Sequence, residues 1–223
     1  MPRVLVPELL DSLPADHPDA TASRRDLRLL NVVMGNYRWM EKQLRAHAGG
    51  DETIVEVGAG DGELARRLCT RMPGLAAHYH ALDLAPQPAN WPAGAIWHQT
   101  DLWSEAGAVL LKRAGVLVAN LVLHHFDESS LRRLASLLTN CQAIFACEPC
   151  RREVHVWQGR LLFPFLNKIT RHDMVVSIRA GFRGSELAAA LGPPFTSKEI
   201  KASLTPLGAY RLSIRRTPFN PSP

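Results

Sequence analysis

Apolar side chains recur every three or four residues between Thr21 and Ala48, and this spacing predicts a helix with one buried face. Ser23 is a candidate N-cap, and the glycine pair after Ala48 ends the predicted helix. The short apolar run Thr53–Val57, bounded by glycines, is typical of a buried strand. An amphipathic pattern over Glu63–Met72 predicts the next helix. The chain therefore begins as helix, strand, helix.

Strands and helices continue to alternate downstream. Four further apolar runs predict strands over His78–Leu84, Ala95–His98, Gly115–Leu123 and Gln142–Cys147. Glu128–Leu138 is a predicted helix with Asp127 as its cap. The prolines of residues 85–94 leave little room for a long helix between the second and third strands. This alternation predicts βαβ units and a largely parallel sheet, which is an α/β architecture.

Both ends of the chain depart from this alternation. Residues 1–20 carry prolines and acidic groups, so we expect a mobile or loosely packed arm. An insert, residues 151–193, follows the fifth strand, with predicted helices over Trp157–Leu166 and Ser185–Leu191. Phe195–Ala202 and Tyr210–Arg216 alternate in polarity around a Pro-Leu-Gly turn and predict an antiparallel hairpin at the sheet edge. We divide the chain into an arm and cap helix, 1–48, and one α/β domain, 49–223, with the insert as a substrate lid.

Composition excludes several classes of protein. The chain of 223 residues is long enough for one sizeable domain, and its four cysteines are too few for a disulfide framework. The sequence has neither the roughly 20 consecutive apolar residues of a membrane helix nor a secretory signal pattern, so we expect a cytoplasmic protein. The net charge of +5 raises nucleic acid as a partner. However, the basic residues occur in short pairs among acidic ones, which favours a solvated basic surface and a small-molecule substrate.

The strongest local signal lies between the first strand and the helix after it. Residues 56–62 read EVGAGDG, and glycine permits a sharp turn and close approach of a ligand to the backbone. Asp83 ends the second strand about 20 residues after the loop, where a carboxylate can accept both hydrogen bonds of a ribose diol. A dinucleotide fingerprint needs its third glycine at the position of Glu63, so the spacing argues against a nicotinamide cofactor. A glycine loop without a ligand is the remaining alternative.

From this loop onward the sequence resembles the class I S-adenosylmethionine-dependent methyltransferases, especially the small-molecule enzymes of ubiquinone and menaquinone biosynthesis. Motifs carry the resemblance over residues 50–150, and only architecture carries it in the tail. It implies a Rossmann-like methyltransferase fold: a mostly parallel seven-stranded sheet, a C-terminal antiparallel hairpin and helices on both faces. It also implies S-adenosylmethionine as cofactor and methyl transfer to oxygen or carbon of a small, apolar or aromatic molecule.

The resemblance assigns the cofactor contacts residue by residue. Glu56 would face the methionine end of the cofactor, and Asp101 would hold the adenine amino group. The segment after the fourth strand, from Asn120, would meet the methionine moiety. The positions implied as cofactor-binding are Glu56, Gly58, Ala59, Gly60, Asp83, Leu84, Asp101, Leu102, Asn120 and Leu121.

Histidines supply the candidate bases. His124 and His125 follow the fourth strand, and imidazole titrates near neutral pH, so either could take a proton from the methyl acceptor. Because adjacent side chains point in different directions, we expect only one to be catalytic. His172 in the insert is a further candidate for substrate contact. Its neighbour Asp173 could orient it, although adjacent side chains on a helix do not face each other, which favours separate surface contacts.

Further candidate substrate contacts lie outside the strands' central motifs. Tyr37 and Arg38 sit in the predicted N-terminal helix, where they either line the site or pack in the core, and Arg38 could pair with the cofactor carboxylate. Glu148 follows the fifth strand and either binds substrate or pairs with a neighbouring arginine. The apolar stretch Leu161–Leu166 is either core or the wall of an apolar pocket.

No metal site is predicted. Cys147 and Cys150 have C-x-x-C spacing, but they end a late strand instead of beginning a helix, so buried free thiols are the preferred interpretation. Two rival functions stay open. An RNA methyltransferase would explain the positive charge, although the Pro-Pro-aromatic motif of base-amino methylation is missing at Ala119–Val122. A non-catalytic cofactor-binding protein would share the glycine loop.

Overall fold

A computed structural model of the protein describes residues 1–14, 16–47, 51–192 and 199–215. Its centre is one seven-stranded sheet in the order β3-β2-β1-β4-β5-β7-β6. The strands are Ile54–Val57 (β1), Tyr79–Asp83 (β2), Ile96–Gln99 (β3), Val116–Asn120 (β4), Ala143–Pro149 (β5), Glu199–Leu204 (β6) and Ala209–Arg215 (β7). Neighbouring strands are parallel except that β7 is antiparallel to both β5 and β6. The predicted α/β sheet with its C-terminal hairpin is confirmed.

Eight α-helices lie within the described ranges: Pro18–Val33 (α1), Asn36–His47 (α2), Glu63–Arg71 (α3), Glu105–Arg113 (α4), Glu128–Leu137 (α5), Glu153–Leu161 (α6), Lys168–Ala180 (α7) and Glu186–Leu191 (α8). Short 3-10 turns lie between them, among them Leu10–Ser12, Leu123–His125 and Phe163–Phe165. None of the helices in the described part of the chain is long and apolar enough to cross a membrane.

The central strands β1, β4 and β5 are buried on both faces, and their successive side chains point to opposite sides of the sheet. In β5, Ile144 and Ala146 join the apolar cluster that includes α4, α5 and α8. Phe145 and Cys147 join the opposite cluster, which includes α2 and α3. This layering explains why β1, β4 and β5 are almost continuously apolar. It also confirms helices on both faces of the sheet.

The strand order places the functional loops together. β1 pairs in parallel with β2 on one side and β4 on the other, so the carboxyl ends of all three strands meet at one edge. Strands that follow β1 in the chain are added first on one side of it and then on the other. Such switch points open a crevice outside the strand ends. The loops after Val57, Asp83 and Asn120 border that crevice.

Helices α1 and α2 are separate elements where the sequence pattern predicts one. Gly35, at φ +70°, turns the chain between them. The first begins at Pro18, and the His17 ring accepts a hydrogen bond from the amide of Asp19, so His17 is the cap instead of Ser23. The apolar periodicity continues through Gly35, so the sequence pattern did not indicate the break between the two helices. Residues 48–50, where the predicted helix ends, lie outside the described residues.

Two other helices were not predicted. Ser104 is the N-cap of α4, and its hydroxyl accepts a hydrogen bond from the amide of Gly107. In the sequence, α4 is indicated only by this cap and the apolar run that follows it. α7 is the longest helix of the insert, and α6 begins four residues before the predicted helix. The fourth strand ends at Asn120 instead of Leu123, because Leu121 adopts a left-handed backbone. Of the predicted hairpin, residues 195–198 and Arg216 lie outside the described residues.

Candidate active site

A cavity of about 760 Å³ opens at the carboxyl ends of β1, β2 and β4. Every position that the sequence implies as cofactor-binding lines it: Glu56, Gly58, Ala59, Gly60, Asp83, Leu84, Asp101, Leu102, Asn120 and Leu121. These residues come from four separate segments of the chain. The parallel sheet is what brings them to one crevice.

The glycine loop forms the floor of the cavity. Gly58 and Gly60 have φ values of +66° and +60°, in the left-handed region that L side chains rarely adopt. A Cβ on Gly58 would meet Val122 Cγ2 at 2.5 Å, so the loop packs directly on the segment after β4. A Cβ on Gly60 would meet no atom of the described residues within 4 Å, its chain neighbours apart, which leaves open space above the loop at this position. The loop therefore offers its backbone to a ligand at Gly60.

Two carboxyl groups flank this loop. Asp83 Oδ2 accepts a hydrogen bond from Gly60 N at 2.7 Å, and Oδ1 accepts one from Ala85 N at 2.8 Å. Burial raises the pKa of Asp83 above its ordinary value. Glu56 is buried and its Oε2 accepts a hydrogen bond from the Tyr79 hydroxyl at 2.7 Å. Burial raises the pKa of Glu56 to about 8, so this carboxyl group is mostly protonated at neutral pH.

The segment after β4 carries backbone strain and an unsatisfied polar atom. Leu121 has φ +58°, a conformation that costs a non-glycine residue about 1–3 kcal/mol. Asn120 lines the cavity, and its side-chain oxygen is buried with no hydrogen-bond partner in the part of the chain that the structure describes. Buried acceptors are normally paired. A ligand that donates a hydrogen bond here would satisfy Asn120.

His124 lies behind the cavity wall in a buried ionic network. Its Nδ1 is 2.7 Å from Glu148 Oε2, and its Nε2 is 3.2 Å from Glu8 Oε1. Burial by itself would lower the pKa of His124, but the two hydrogen-bonded carboxylates outweigh burial and raise the pKa to about 9. His124 is therefore a cation at neutral pH that donates both of its N–H groups. In this state it cannot serve as a general base.

His125 has the opposite character and lines the cavity. Burial and the adjacent positive charge of His124 lower the pKa of His125 below its ordinary value of 6.5. Its Nδ1 is 3.5 Å from Asp11 Oδ2, and its Nε2 is 3.9 Å from Glu8 Oε1. Both separations exceed ordinary hydrogen-bond lengths. The imidazole is thus mostly neutral at pH 7, and one of its two ring nitrogens carries no proton.

Glu148 neither faces the cavity nor pairs with a neighbouring arginine. It is fully buried and its Oε1 accepts hydrogen bonds from Val122 N at 3.2 Å and Leu123 N at 2.9 Å. Both alternatives from the sequence are therefore corrected. Arg151 instead pairs with Glu186. Glu148 holds the turn that carries the two histidines, and strand pairing of β4 with β5 brings it there.

The N-terminal arm completes the cavity wall, which the sequence pattern did not indicate. Glu8, Leu10, Asp11 and Leu13 line the cavity. The side chain of Arg3 donates hydrogen bonds to carbonyl oxygens of the turn after β4 and of α7. The arm is therefore packed, not loose. Its acidic residues were visible in the sequence, but nothing local indicated that they face the histidines.

His172 lies outside the cavity, on the far side of the arm. Its Nδ1 is 2.8 Å from Asp173 Oδ1, so these adjacent side chains do meet, contrary to the expectation from helix geometry. Asp173 also accepts hydrogen bonds from the amides of Leu9 and Leu10 at 2.8 and 2.9 Å. The pair therefore anchors the arm. No described residue of the insert lines the cavity.

Helices α1 and α2 contribute differently from the prediction. Tyr37 packs in the buried apolar cluster of α2 and α3 and also lines the cavity, so it has features of both alternatives. Arg38 is exposed and lines a separate open groove of about 900 Å³ with Trp39, Lys42 and Arg71, away from the glycine loop. The cations at the cavity are instead Arg24 and Arg28 of α1, and Arg28 pairs with Asp61 of the glycine loop. Tyr37 and Arg38 both lie in the first turn of α2 after Gly35, and only Tyr37 lies on the side of the helix that faces the cavity.

The structure also gives the positions of the two cysteines and of one group of possible metal ligands. Cys147 and Cys150 are buried and free, and burial raises the pKa of both thiols. Among the described residues, one group of metal-ligand type occurs: Glu8, His124 and His125, whose ligand atoms lie within 4.8 Å of one another. The Nδ1 of His124 already bonds to Glu148, and its Nε2 bonds to Glu8. The absence of a metal stays a prediction.

Several solved structures with this architecture are methyltransferases. The plantazolicin methyltransferase BpumL in complex with SAH aligns with a TM-score of 0.67 at 13% identity, covering 93% of each chain. The chain has the fold of the class I methyltransferases. The magnesium protoporphyrin IX methyltransferase ChlM from Synechocystis PCC 6803 with bound SAM aligns at a TM-score of 0.53 and 13% identity, covering 87% of this chain and 84% of that one.

Human N-acetylserotonin methyltransferase in complex with SAM aligns at a TM-score of 0.52 and 15% identity, covering 92% of this chain and 61% of that enzyme. No protein-family model matches the sequence, and no curated protein matches it. These likenesses establish the fold predicted from the glycine loop and the strand pattern. What the site does follows from its own residues.

Proposed function

We propose that this protein is an S-adenosylmethionine-dependent methyltransferase that methylates an oxygen or an acidic carbon of a small apolar or aromatic molecule. One observation carries the proposal: a single cavity joins all ten implied cofactor positions to a neutral histidine, His125. Structural neighbours with SAM or SAH bound support the choice of cofactor.

The residues of the cavity fit this cofactor. Asp83 is placed to accept hydrogen bonds from a ribose diol, and the open space above Gly60 admits a ligand against the backbone. The unpaired oxygen of Asn120 suits the amino group of the methionine moiety. Arg28 lies at the same cavity and can contribute to binding its carboxylate. When bound, the cofactor supplies a methyl group on a positively charged sulfur, which is already a reactive electrophile.

The chain itself supplies proton transfer and positioning. In our proposal a nitrogen of neutral His125 takes the proton from the acceptor's hydroxyl or acidic C–H as the acceptor forms its bond to the methyl group. Glu8 and Glu148 hold His124 as a cation, and its charge keeps His125 from protonating before the substrate arrives. The arm forms one side of the cavity, and in our proposal it shields the reacting groups from water.

The lining supports an apolar or aromatic acceptor. Leu10 and Leu13 of the arm and Leu27 of α1 line the cavity. Trp103 and Phe126 also line it, and they contact each other edge to face with ring centroids 5.4 Å apart. Aromatic rings recognise flat ligands by stacking or edge contacts. We therefore expect a flat molecule with one ionisable hydroxyl or an activated carbon.

The test begins with ligand binding by thermal shift, using S-adenosylmethionine, S-adenosylhomocysteine and NAD side by side. Stabilisation by the first two supports the proposal, and stabilisation by NAD alone would overturn it. Radiolabelled methyl transfer is then measured with a panel of phenols and 1,3-dicarbonyl compounds. His125→Gln should lower kcat roughly 10²–10⁴-fold, the usual contribution of a general base, and leave cofactor affinity unchanged.

His78→Gln is the matched control, because His78 is partly exposed and lies outside the cavity. It should leave kcat unchanged. The wild-type rate should fall only below pH 6.5, as the lowered pKa of His125 requires. Equal loss in both variants, or an intact rate in His125→Gln, would remove His125 as the base. Methyl transfer to tRNA but to no small molecule would favour the RNA methyltransferase, and cofactor binding without turnover would favour a binding protein.

A further inference from the structure

Helix α6 is fixed to the protein by one face. His155, Val156 and Gly159 are buried on that face. A Cβ on Gly159 would meet Met174 Sδ at 2.5 Å, so α6 packs closely on α7. The orientation of α6 is therefore set by contacts at its inward side.

The outward face of α6 is apolar too. Val154, Trp157 and Leu161 are 52%, 67% and 73% exposed, and their i, i+3, i+7 spacing puts them in one row opposite the buried face. Phe165, in the 3-10 turn that follows, is 76% exposed. We call these four side chains the apolar ridge. Surface helices normally present polar residues on this side, so the ridge indicates a binding surface.

Cations flank the apolar ridge. Arg160 precedes Leu161 on the helix and is exposed. The Nε of Arg171 donates a hydrogen bond to the carbonyl of Leu166 at 2.8 Å, which holds this guanidinium just beyond Phe165. Within the described ranges neither arginine has a carboxylate partner. The ridge therefore combines exposed aromatic and aliphatic side chains with two arginines that form no ion pair within the described ranges, and Glu153 at the start of α6 is its acidic neighbour.

This combination favours a lipid surface over a protein partner. A stable protein interface needs roughly 20–30 residues on each side, whereas the apolar ridge is one row of four side chains. An amphipathic helix on a membrane needs only an apolar face that enters the headgroup layer and basic residues that meet anionic lipids. Tryptophan prefers this interface because its ring is apolar and its N–H can stay hydrated. We propose that the apolar ridge docks this protein on an anionic lipid surface.

Vesicle flotation of the full chain tests the proposal. Vesicles of phosphatidylcholine mixed with phosphatidylglycerol should carry the protein, and vesicles of phosphatidylcholine alone should carry much less. Trp157→Ser with Phe165→Ser should reduce the bound fraction by roughly tenfold, since binding scales with the apolar area buried in the interface. Val32→Ser with Val109→Ser is the control, because it removes two apolar side chains, 48% and 53% exposed, elsewhere on the surface and should leave binding unchanged.

A charge pair of variants completes the test. Arg160→Gln with Arg171→Gln should weaken binding to the anionic vesicles, while Arg38→Gln with Lys42→Gln, the same charge loss on another groove, should not. Cofactor binding by each variant establishes that it is folded. Failure of the wild type to float, or equal binding by the ridge variant, would overturn the proposal. So would a dimer in light scattering that the ridge substitutions convert to monomer without any vesicle binding.

Discussion

Replacing Glu148 by glutamine tests the ionic network behind the cavity. Glu148 is fully buried and accepts hydrogen bonds from three backbone amides and from His124 Nδ1. Glutamine has the same shape but presents an N–H₂ group where one carboxylate oxygen stood, and it carries no charge. With that partner lost, burial is opposed by Glu8 alone, and the pKa of His124 should fall from about 9.

The magnitude follows from the titration of His124. Raising its pKa from 6.5 to about 9 corresponds to about 3 kcal/mol of folding free energy, at 1.36 kcal/mol for each pKa unit. Because the folded-state pKa is the higher one, this contribution is complete below about pH 6.5 and is lost as the pH rises through 9. Breaking a buried ion pair by removing one partner costs about 3–5 kcal/mol. We therefore expect Glu148→Gln to lower the free energy of unfolding by about 3–5 kcal/mol at pH 7.

Urea unfolding at several pH values measures this loss. The difference between wild type and variant should shrink above pH 9, because the wild type then loses the His124 contribution as well. Glu128→Gln is the matched control: the Glu128–Arg132 pair is exposed, so its loss should cost about 0–1 kcal/mol. A Glu148→Gln effect as small as the control, or one independent of pH between 6.5 and 9, would refute the assigned charge of His124.

Further predictions concern the cavity. Asp83→Ala should weaken S-adenosylmethionine binding at least roughly tenfold in calorimetry, because it removes an acceptor worth about 1.5–3 kcal/mol; unchanged affinity would exclude Asp83 from the site. Gly58→Ala should destabilise the protein more than Gly60→Ala in urea unfolding, since both incur left-handed strain but only the first meets Val122; equal losses would contradict the packing. Dialysis against a chelator should leave methyl transfer unchanged. A loss of activity that an added divalent metal restores would contradict this and favour a metal at the group containing Glu8.

Local sequence patterns predicted most of the sheet and the cofactor loop. Alternating strands and helices, with turn residues between them, depend on neighbours within a few residues of each other. The spacing of Gly58, Gly60 and Asp83 could be recognised for the same reason. Two features were not predicted because their local signals were weak. Gly35 separates two helices although the apolar periodicity continues through it, and only the Ser104 cap marks the start of α4.

The roles of neighbouring residues depended on distant parts of the chain. His124 and His125 are adjacent and equivalent as sequence, yet Glu8 and Glu148 reach the first from far along the chain and make it a cation. Its charge then lowers the pKa of the second. Likewise the acidic arm was predicted to be loose, but hydrogen bonds to Asp173, to α7 and to the turn after β4 hold it against the cavity.

The sequence by itself thus predicted that strands and helices alternate in a Rossmann-like sheet, without giving the order of the strands. It also located the glycine loop on which a cofactor can rest. Tertiary structure decided which side chains share the cavity, which histidine is neutral and which arginine faces inward. The physical reason is one of range. Hydrophobic periodicity and backbone conformation act between near neighbours, whereas burial and Coulomb interactions depend on separation in space.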